Sequence, residues 1–179
     1  ISTDPAALGS NRIVFAAATT NLSLLIDGGG TISLSNSLGS SSGFATTIDV
    51  NNNGSGTNGV VQLNGSSANS AMGTGTFNVT GGNGYSLYIA NLRSTAGTPG
   101  AITFNPTTAV LSLGNLTGSQ ASGTNTWTFG GNNTGNSVTG IISNGGSGTI
   151  ASAVTKSNTS SWTLSGANTY TGKTIIQQG

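Results

Sequence analysis

The chain has 179 residues, of which 34% are hydrophobic and only 4% are charged, and its formal net charge is +1. It contains no cluster of basic residues that could neutralise phosphates, so we expect no nucleic-acid partner. Cysteine, histidine and glutamate are all absent, which excludes disulfides and thiolate metal sites and removes the usual general bases. We therefore predict no enzymatic activity and no cofactor.

Short runs in which apolar residues alternate with polar ones recur along the chain and predict half-buried β-strands. In chain order these runs are Leu22/Leu24/Ile26, Ile32/Leu34, Ile48/Val50, Val61/Leu63, Phe77/Val79, Leu87/Ile89, Ile102/Phe104, Leu111/Leu113, Trp127/Phe129 and Trp162/Leu164. No helical periodicity lasts a dozen residues, and no apolar run of about 18 residues exists, so we expect neither helices nor a membrane span. Glycine- and asparagine-rich segments between the runs supply the positive φ angles of tight turns.

Two tryptophan-led segments resemble each other. Residues 162–169 (WTLSGANT) align with residues 127–134 (WTFGGNNT), which lie 35 residues earlier. A repeated strand-and-turn unit favours a stacked solenoid, although short strands with frequent turns also fit a β-sandwich or barrel. We predict that residues 1–179 form a single all-β domain, a right-handed parallel β-helix whose coils of about 20 to 25 residues give roughly seven to nine coils.

The acidic residues Asp4, Asp27 and Asp49 are separated by 23 and 22 residues, which is about one predicted coil. Their carboxylates could then stack on successive coils, where they would bind a cation or serve as the acid and base of a polysaccharide-cleaving β-helix enzyme. No cationic side chain other than Arg12 is near them in sequence. We favour three solvated acids, and predict neither a catalytic residue nor a metal ligand.

The closing segment carries a recognisable motif. Residues 162–172 (WTLSGANTYTG), together with the upstream residues 140–143 (GIIS) and Lys156, closely resemble the autotransporter-associated β-strand repeat of bacterial passenger proteins. Residues 4–9 (DPAALG) resemble the segment that follows such a motif. The resemblance implies a β-helical protein that is extracellular or on the bacterial cell surface, and it implies that this chain is one period of a longer tandem array.

The predicted function is that of a structural module in a surface fibre or stalk, because a solenoid lengthens simply by adding coils. Neither end looks capped, so we expect association with tandem neighbours or end to end with another copy, through Ile1, Asp4, Lys173, Ile175 and Ile176. The alternative is an adhesin that binds surface polysaccharide through Asn and Thr ladders or through Tyr85 and Tyr88. A polysaccharide-cleaving enzyme is less favoured.

Overall fold

The computed structural model describes residues 8–66, 70–95, 100–119, 123–145 and 150–179. In these residues the chain forms sixteen β-strands and no helix. The strands are β1 (Ile13–Phe15), β2 (Thr19–Ile26), β3 (Thr31–Leu34), β4 (Leu38–Ser40), β5 (Phe44–Asn52), β6 (Val60–Leu63), β7 (Gly75–Gly81), β8 (Ser86–Arg93), β9 (Gly100–Pro106), β10 (Val110–Thr117), β11 (Thr124–Phe129), β12 (Asn136–Val138), β13 (Ile142–Ser143), β14 (Ala151–Lys156), β15 (Trp162–Leu164) and β16 (Thr174–Ile176).

The strands lie in three parallel sheets, which we call faces 1, 2 and 3. Face 1 has the order β16-β14-β11-β9-β7-β5-β2, face 2 has the order β15-β12-β10-β8-β6-β3 with β13 also beside β10, and face 3 pairs β1 with β4. The chain visits the faces in a fixed order, for example β2, β3, β4 and then β5, so each coil stacks on the one before. This arrangement confirms the predicted all-β parallel β-solenoid.

The coils are longer than predicted, and there are fewer of them. Successive strands of face 1 are offset by 26, 31, 27, 25 and 27 residues, and the last step to β16 is 20 residues. The described chain therefore makes about five turns instead of the seven to nine expected. The difference arises because the corners between the strands take up residues in every coil, so that a full coil needs 25 to 31 residues.

The core consists of columns of inward-pointing apolar side chains, one from each coil. On face 2 one such column comprises Leu34, Leu63, Ile89, Leu113, Val138 and Leu164, each paired in register with the next. Alternation along a parallel strand places these side chains inside and their neighbours outside. The outward column on face 1 contains Thr76, Thr103, Thr128 and Thr155 in register. Small neutral hydroxyls therefore cover this face, which explains why so few charges are needed.

Aromatic rings form the widest part of the core. Phe77, Phe104 and Phe129 are in register on face 1, with ring centroids 6.4 and 5.8 Å apart. Trp127 is fully buried and stacks on Phe104 at 6.2 Å. In the next coil the same inward position is occupied by Lys156, which pairs with Phe129. The aromatic column therefore ends beneath an ammonium-bearing side chain.

All ten alternating runs form the predicted strands. The aligned tryptophan segments, however, are not structural equivalents. Trp127 lies on face 1 and Trp162 lies on face 2, where it pairs with Asn136. A separation of 35 residues is longer than any of the coils, so the repeated strand-and-turn unit does not recur at the same place in successive coils.

Candidate functional site

The C-terminal coil, which we define as residues 154–179, is the candidate functional site because it contains the motif of residues 162–172. Its inward side chains Trp162, Leu164 and Tyr170 are only partly buried, although they pack against the core. Within the described residues, β15 pairs only with β12 and β16 pairs only with β14. One edge of each strand therefore stays open for another strand.

Trp162 fixes the start of this coil on the coil below. Its indole Nε1 donates a hydrogen bond to the carbonyl oxygen of Gly130 at 3.1 Å. Its ring lies 4.8 Å from the ring of Phe129 and 6.4 Å from that of Phe104. The tryptophan thus joins face 2 of the last coil to the aromatic column of face 1.

Two glycines of the motif are required by close backbone approach. A Cβ at Gly166 would overlap the carbonyl oxygen of Gly140 one coil below, and a Cβ at Gly172 would lie 2.5 Å from the carbonyl oxygen of Ser152. Any larger residue would force the two coils apart at these points. Both glycines therefore serve the stacking of this coil on its neighbour.

Asn168, the asparagine of the motif, supplies a side-chain hydrogen-bond acceptor at the corner after Gly166. The Oδ1 atom of Asn168 accepts a hydrogen bond from the backbone N–H of Ile142 at 2.8 Å. One coil below, Asn144 Oδ1 accepts the backbone N–H of Thr171 at 3.1 Å, and Asn144 Nδ2 donates to Thr171 Oγ1 at 2.9 Å. These side-chain amides hold two coils together where the chain turns and a regular ladder cannot form. The motif is visible in the sequence, but these bonds are not.

Lys156 is in register with the inward Phe129 at the end of the aromatic column, and its ammonium is held by backbone carbonyls. Nζ donates to the carbonyl oxygens of Ser157 and Asn158 at 2.7 Å each, and to that of Gln178 at 3.1 Å. Desolvation lowers the pKa of Lys156 below its ordinary value. The Lys156 side chain therefore links the corner at Ser157 and Asn158 to Gln178, which follows β16.

The predicted association residues fall into two groups. Ile1 and Asp4 lie outside the described residues. Lys173, Ile175 and Ile176 are all exposed, with Ile175 at 43% and Ile176 at 69% of their full accessibility. Ile175 pairs with the outward Thr155, whereas Ile176 pairs with the inward Lys156. Ile176 is therefore a core-type side chain without a coil to cover it in the described structure.

The structure does not bring the predicted carboxylates together. Asp49 points outward on face 1 between Ser23 and Thr80, and its Oδ1 accepts a hydrogen bond from Thr80 Oγ1 at 2.8 Å. Asp27 lies at the corner after β2, and Asp4 is outside the described residues. Stacking is wrong for Asp27 and Asp49 because a coil takes more residues than their separation. The described residues contain no group of three His, Cys, Asp or Glu side chains that could hold a metal ion.

The predicted glycan-binding tyrosines also differ from each other. Tyr85 is buried, and its hydroxyl donates to the carbonyl oxygen of Gly28 at 2.7 Å, so its assignment to an exposed surface is wrong. Tyr88 is half-buried on the outer side of face 2. An asparagine ladder does exist at the following corner, where Asn115 Nδ2 donates to Asn91 Oδ1 at 3.1 Å.

Comparison with known proteins gives one match. A model of the passenger-associated-transport-repeat family matches residues 154–179, which are the C-terminal coil. No curated protein and no solved structure matches the chain. The match confirms the resemblance seen in the sequence, and it shows that the family's repeat corresponds here to one coil with its closing strand. Within the described residues there is no helix that is long and apolar enough to cross a membrane.

Proposed function

We propose that this chain is a structural module of a passenger-type bacterial protein, in which stacked coils form a stiff rod on the cell surface or outside the cell. The proposal rests on the passenger-associated repeat and on the solenoid fold. The finer role, a fibre or stalk lengthened by adding coils, follows from how the coils contact each other.

The observation that carries the proposal is the continuity of faces 1 and 2. Face 1 contains seven strands in unbroken order, face 2 contains six beside them, and all of these strands are parallel. Strand pairing joins each coil only to its neighbours, so further coils extend the structure without changing it. Each added coil lengthens the rod by about 4.8 Å, the spacing of hydrogen-bonded strands.

The outer surface suits such a rod. Its outward positions on face 1 are mostly threonine and asparagine, and neighbouring coils share side-chain hydrogen bonds, as between Asn105 Nδ2 and Asn78 Oδ1 at 2.7 Å. Because these side chains are neutral, Coulomb repulsion between coils is small. A long array can therefore stack without accumulating like charges.

A tandem duplicate of the chain tests this proposal. Two copies joined directly should form one rod whose maximum dimension in small-angle X-ray scattering exceeds that of the single chain by roughly 30 Å, because each copy adds six strands to face 2 and seven strands to face 1 at a spacing of about 4.8 Å. The matched control separates the copies with a flexible Gly/Ser linker, which allows them to tumble independently. Identical scattering from the direct and the linked duplicates would contradict the proposal, because it would show that the coils do not continue across the junction.

A further inference from the structure

We propose that a groove on the side of the solenoid binds a neutral polysaccharide whose chain lies along the rod. The inference goes beyond the proposed function, because a rod that only supports its own length needs no ligand site. The groove lies at the corner that follows face 2 and has a volume of about 420 Å³. It is lined by Asn91, Asn115, Thr117, Ile141, Ser143 and Thr169.

The apolar residue of this groove is Ile141, whose side chain is 42% exposed. It lies between two coils. The backbone N–H of Ile141 donates to Asn115 Oδ1 in the coil below at 3.0 Å, and the carbonyl oxygen of the next residue, Ile142, accepts the N–H of Thr169 from the coil above. The other large apolar side chains that are exposed in the described part of the chain belong to β1 or β16. The exposure of Ile141 is therefore not caused by a missing coil.

The two asparagines of the groove hold unused hydrogen-bonding groups in a fixed orientation. Asn115 Nδ2 donates to Asn91 Oδ1 at 3.1 Å, and Asn91 Nδ2 donates to the carbonyl oxygen of Gly65 at 3.1 Å. An amide side chain has two N–H donors and an oxygen with two lone pairs, so one N–H and one lone pair of each asparagine remain for a ligand. A sugar hydroxyl both donates and accepts, and it therefore matches such an amide.

The spacing and the charge of the lining select the class of ligand. Asn91 is in register with Asn115, and Thr117 is in register with Ser143, so the polar groups recur at the strand spacing of about 4.8 Å. This repeat is close to the length of one sugar unit in an extended polysaccharide, so a chain along the rod meets equivalent groups in successive coils. All six lining residues are uncharged, and Arg93, which pairs with Thr117, does not line the groove. The lining therefore favours a neutral sugar over an acidic one.

A second groove, of about 330 Å³, lies at the corner after face 1 and lacks this combination of groups. Its lining consists of asparagine, glutamine, threonine and glycine residues, with no apolar side chain. A sugar ring has an apolar C–H face as well as polar edges, and of the two grooves only the first offers a surface for both. We therefore assign the binding site to the groove that contains Ile141.

An NMR titration of the full chain, followed through its amide signals, tests the inference. The probes are the neutral oligosaccharides cellohexaose, laminarihexaose, isomaltohexaose and mannohexaose, with an acidic oligogalacturonate for comparison. We expect at least one neutral probe to shift the side-chain amide signals of Asn91 and Asn115 saturably and equally at low and high salt, because no charges are paired. The inference is overturned if no neutral probe shifts these signals, if the shifts lie only at the corner after face 1, or if only the acidic probe binds.

Two matched pairs of variants locate the ligand. Ile141→Ala should weaken binding about fivefold, because it removes apolar surface that the sugar would cover. Ile175→Ala truncates an isoleucine of nearly equal exposure, 43%, on face 1 and should leave binding unchanged.

The second pair fills the groove. Thr169→Arg should weaken binding at least tenfold, whereas Thr163→Arg, which adds the same charge at an exposed threonine of the same coil outside the groove, should not. The amide spectrum of each variant shows whether it is folded. Equal effects within both pairs would overturn the inference and leave the proposed function intact, because the scattering of the tandem duplicate does not depend on a ligand.

Discussion

The middle coils and the C-terminal coil are built on the same inward pattern, but they differ in burial. Leu113 and Leu164 occupy the same column of face 2, two coils apart. Leu113 is fully buried, whereas Leu164 is only partly buried. Burial in this fold is therefore supplied by the neighbouring coil, and the same residue acquires a different energetic role according to whether another coil covers it.

Truncating the two leucines gives the largest expected difference. In dilute solution Leu113→Ala should lower the free energy of unfolding by about 2 to 5 kcal/mol, because it leaves a cavity between two coils. Leu164→Ala should cost about 1 kcal/mol, because part of that side chain is already in water and no coil covers it in the described structure. Urea unfolding followed by tryptophan fluorescence measures both. Equal losses would show that the last coil is covered by something other than solvent.

The alternating pattern of apolar and polar residues did not predict every strand. β12 and β14 each place a polar residue inside, Asn136 and Ser152, so their runs do not look like half-buried strands. Asn136 is satisfied at the corner, where its Oδ1 accepts the backbone N–H of Leu111 at 3.0 Å and its Nδ2 donates to the carbonyl oxygen of Asn133 at 2.8 Å. The alternation of apolar and polar residues predicted the strands whose inward side chains are apolar. It could not predict β12 and β14, whose inward residues include the polar Asn136 and Ser152.

The candidate site was predictable as a motif and not as a set of contacts. The spacing of residues 162–172 identified the repeat, and the exposed isoleucines near the end of the chain were expected. Asn168, however, meets Ile142 across 26 residues of sequence, a distance set by the length of the corners. Because corner length varies from coil to coil, the alignment of 127–134 with 162–169 placed two tryptophans together that the fold puts on different faces.

Gly166→Ala is expected to loosen the C-terminal coil and to leave the middle coils intact. The added methyl would overlap the carbonyl oxygen of Gly140, so the last coil must shift away from the one below. Hydrogen exchange in residues 162–179 should accelerate about 10- to 100-fold, which corresponds to roughly 1.4 to 2.7 kcal/mol of local stability. Exchange in β8 and β10 should stay unchanged.

Ala167→Ser is the matched control for this glycine, because Ala167 is exposed and adjacent to Gly166. Its exchange rates should equal those of the wild type. Acceleration that reaches β8 in Gly166→Ala would mean that the last coil is not an independently opening unit. The segment that opens as one unit would then extend further toward the N-terminus than residue 162.

The smallest expected effect is the pH dependence introduced by Lys156, the one inward cation of the last coil. Desolvation lowers its pKa in the folded chain below the ordinary value of 10.5, so between these two pKa values the folded chain binds fewer protons than the unfolded chain. The free energy of unfolding should therefore rise with pH through that window, relative to Lys156→Met, in which this titration is absent.

Urea unfolding of the wild type and of Lys156→Met at a series of pH values up to 10.5 measures this dependence, because the two chains differ only at residue 156. Below the window the difference between the two chains should not vary with pH. A difference that decreased as pH rose would show that the three carbonyl hydrogen bonds favour the ammonium by more than its desolvation disfavours it. The three carbonyl oxygens at the end of the aromatic column would then stabilise the charge of Lys156 by more than its burial destabilises it.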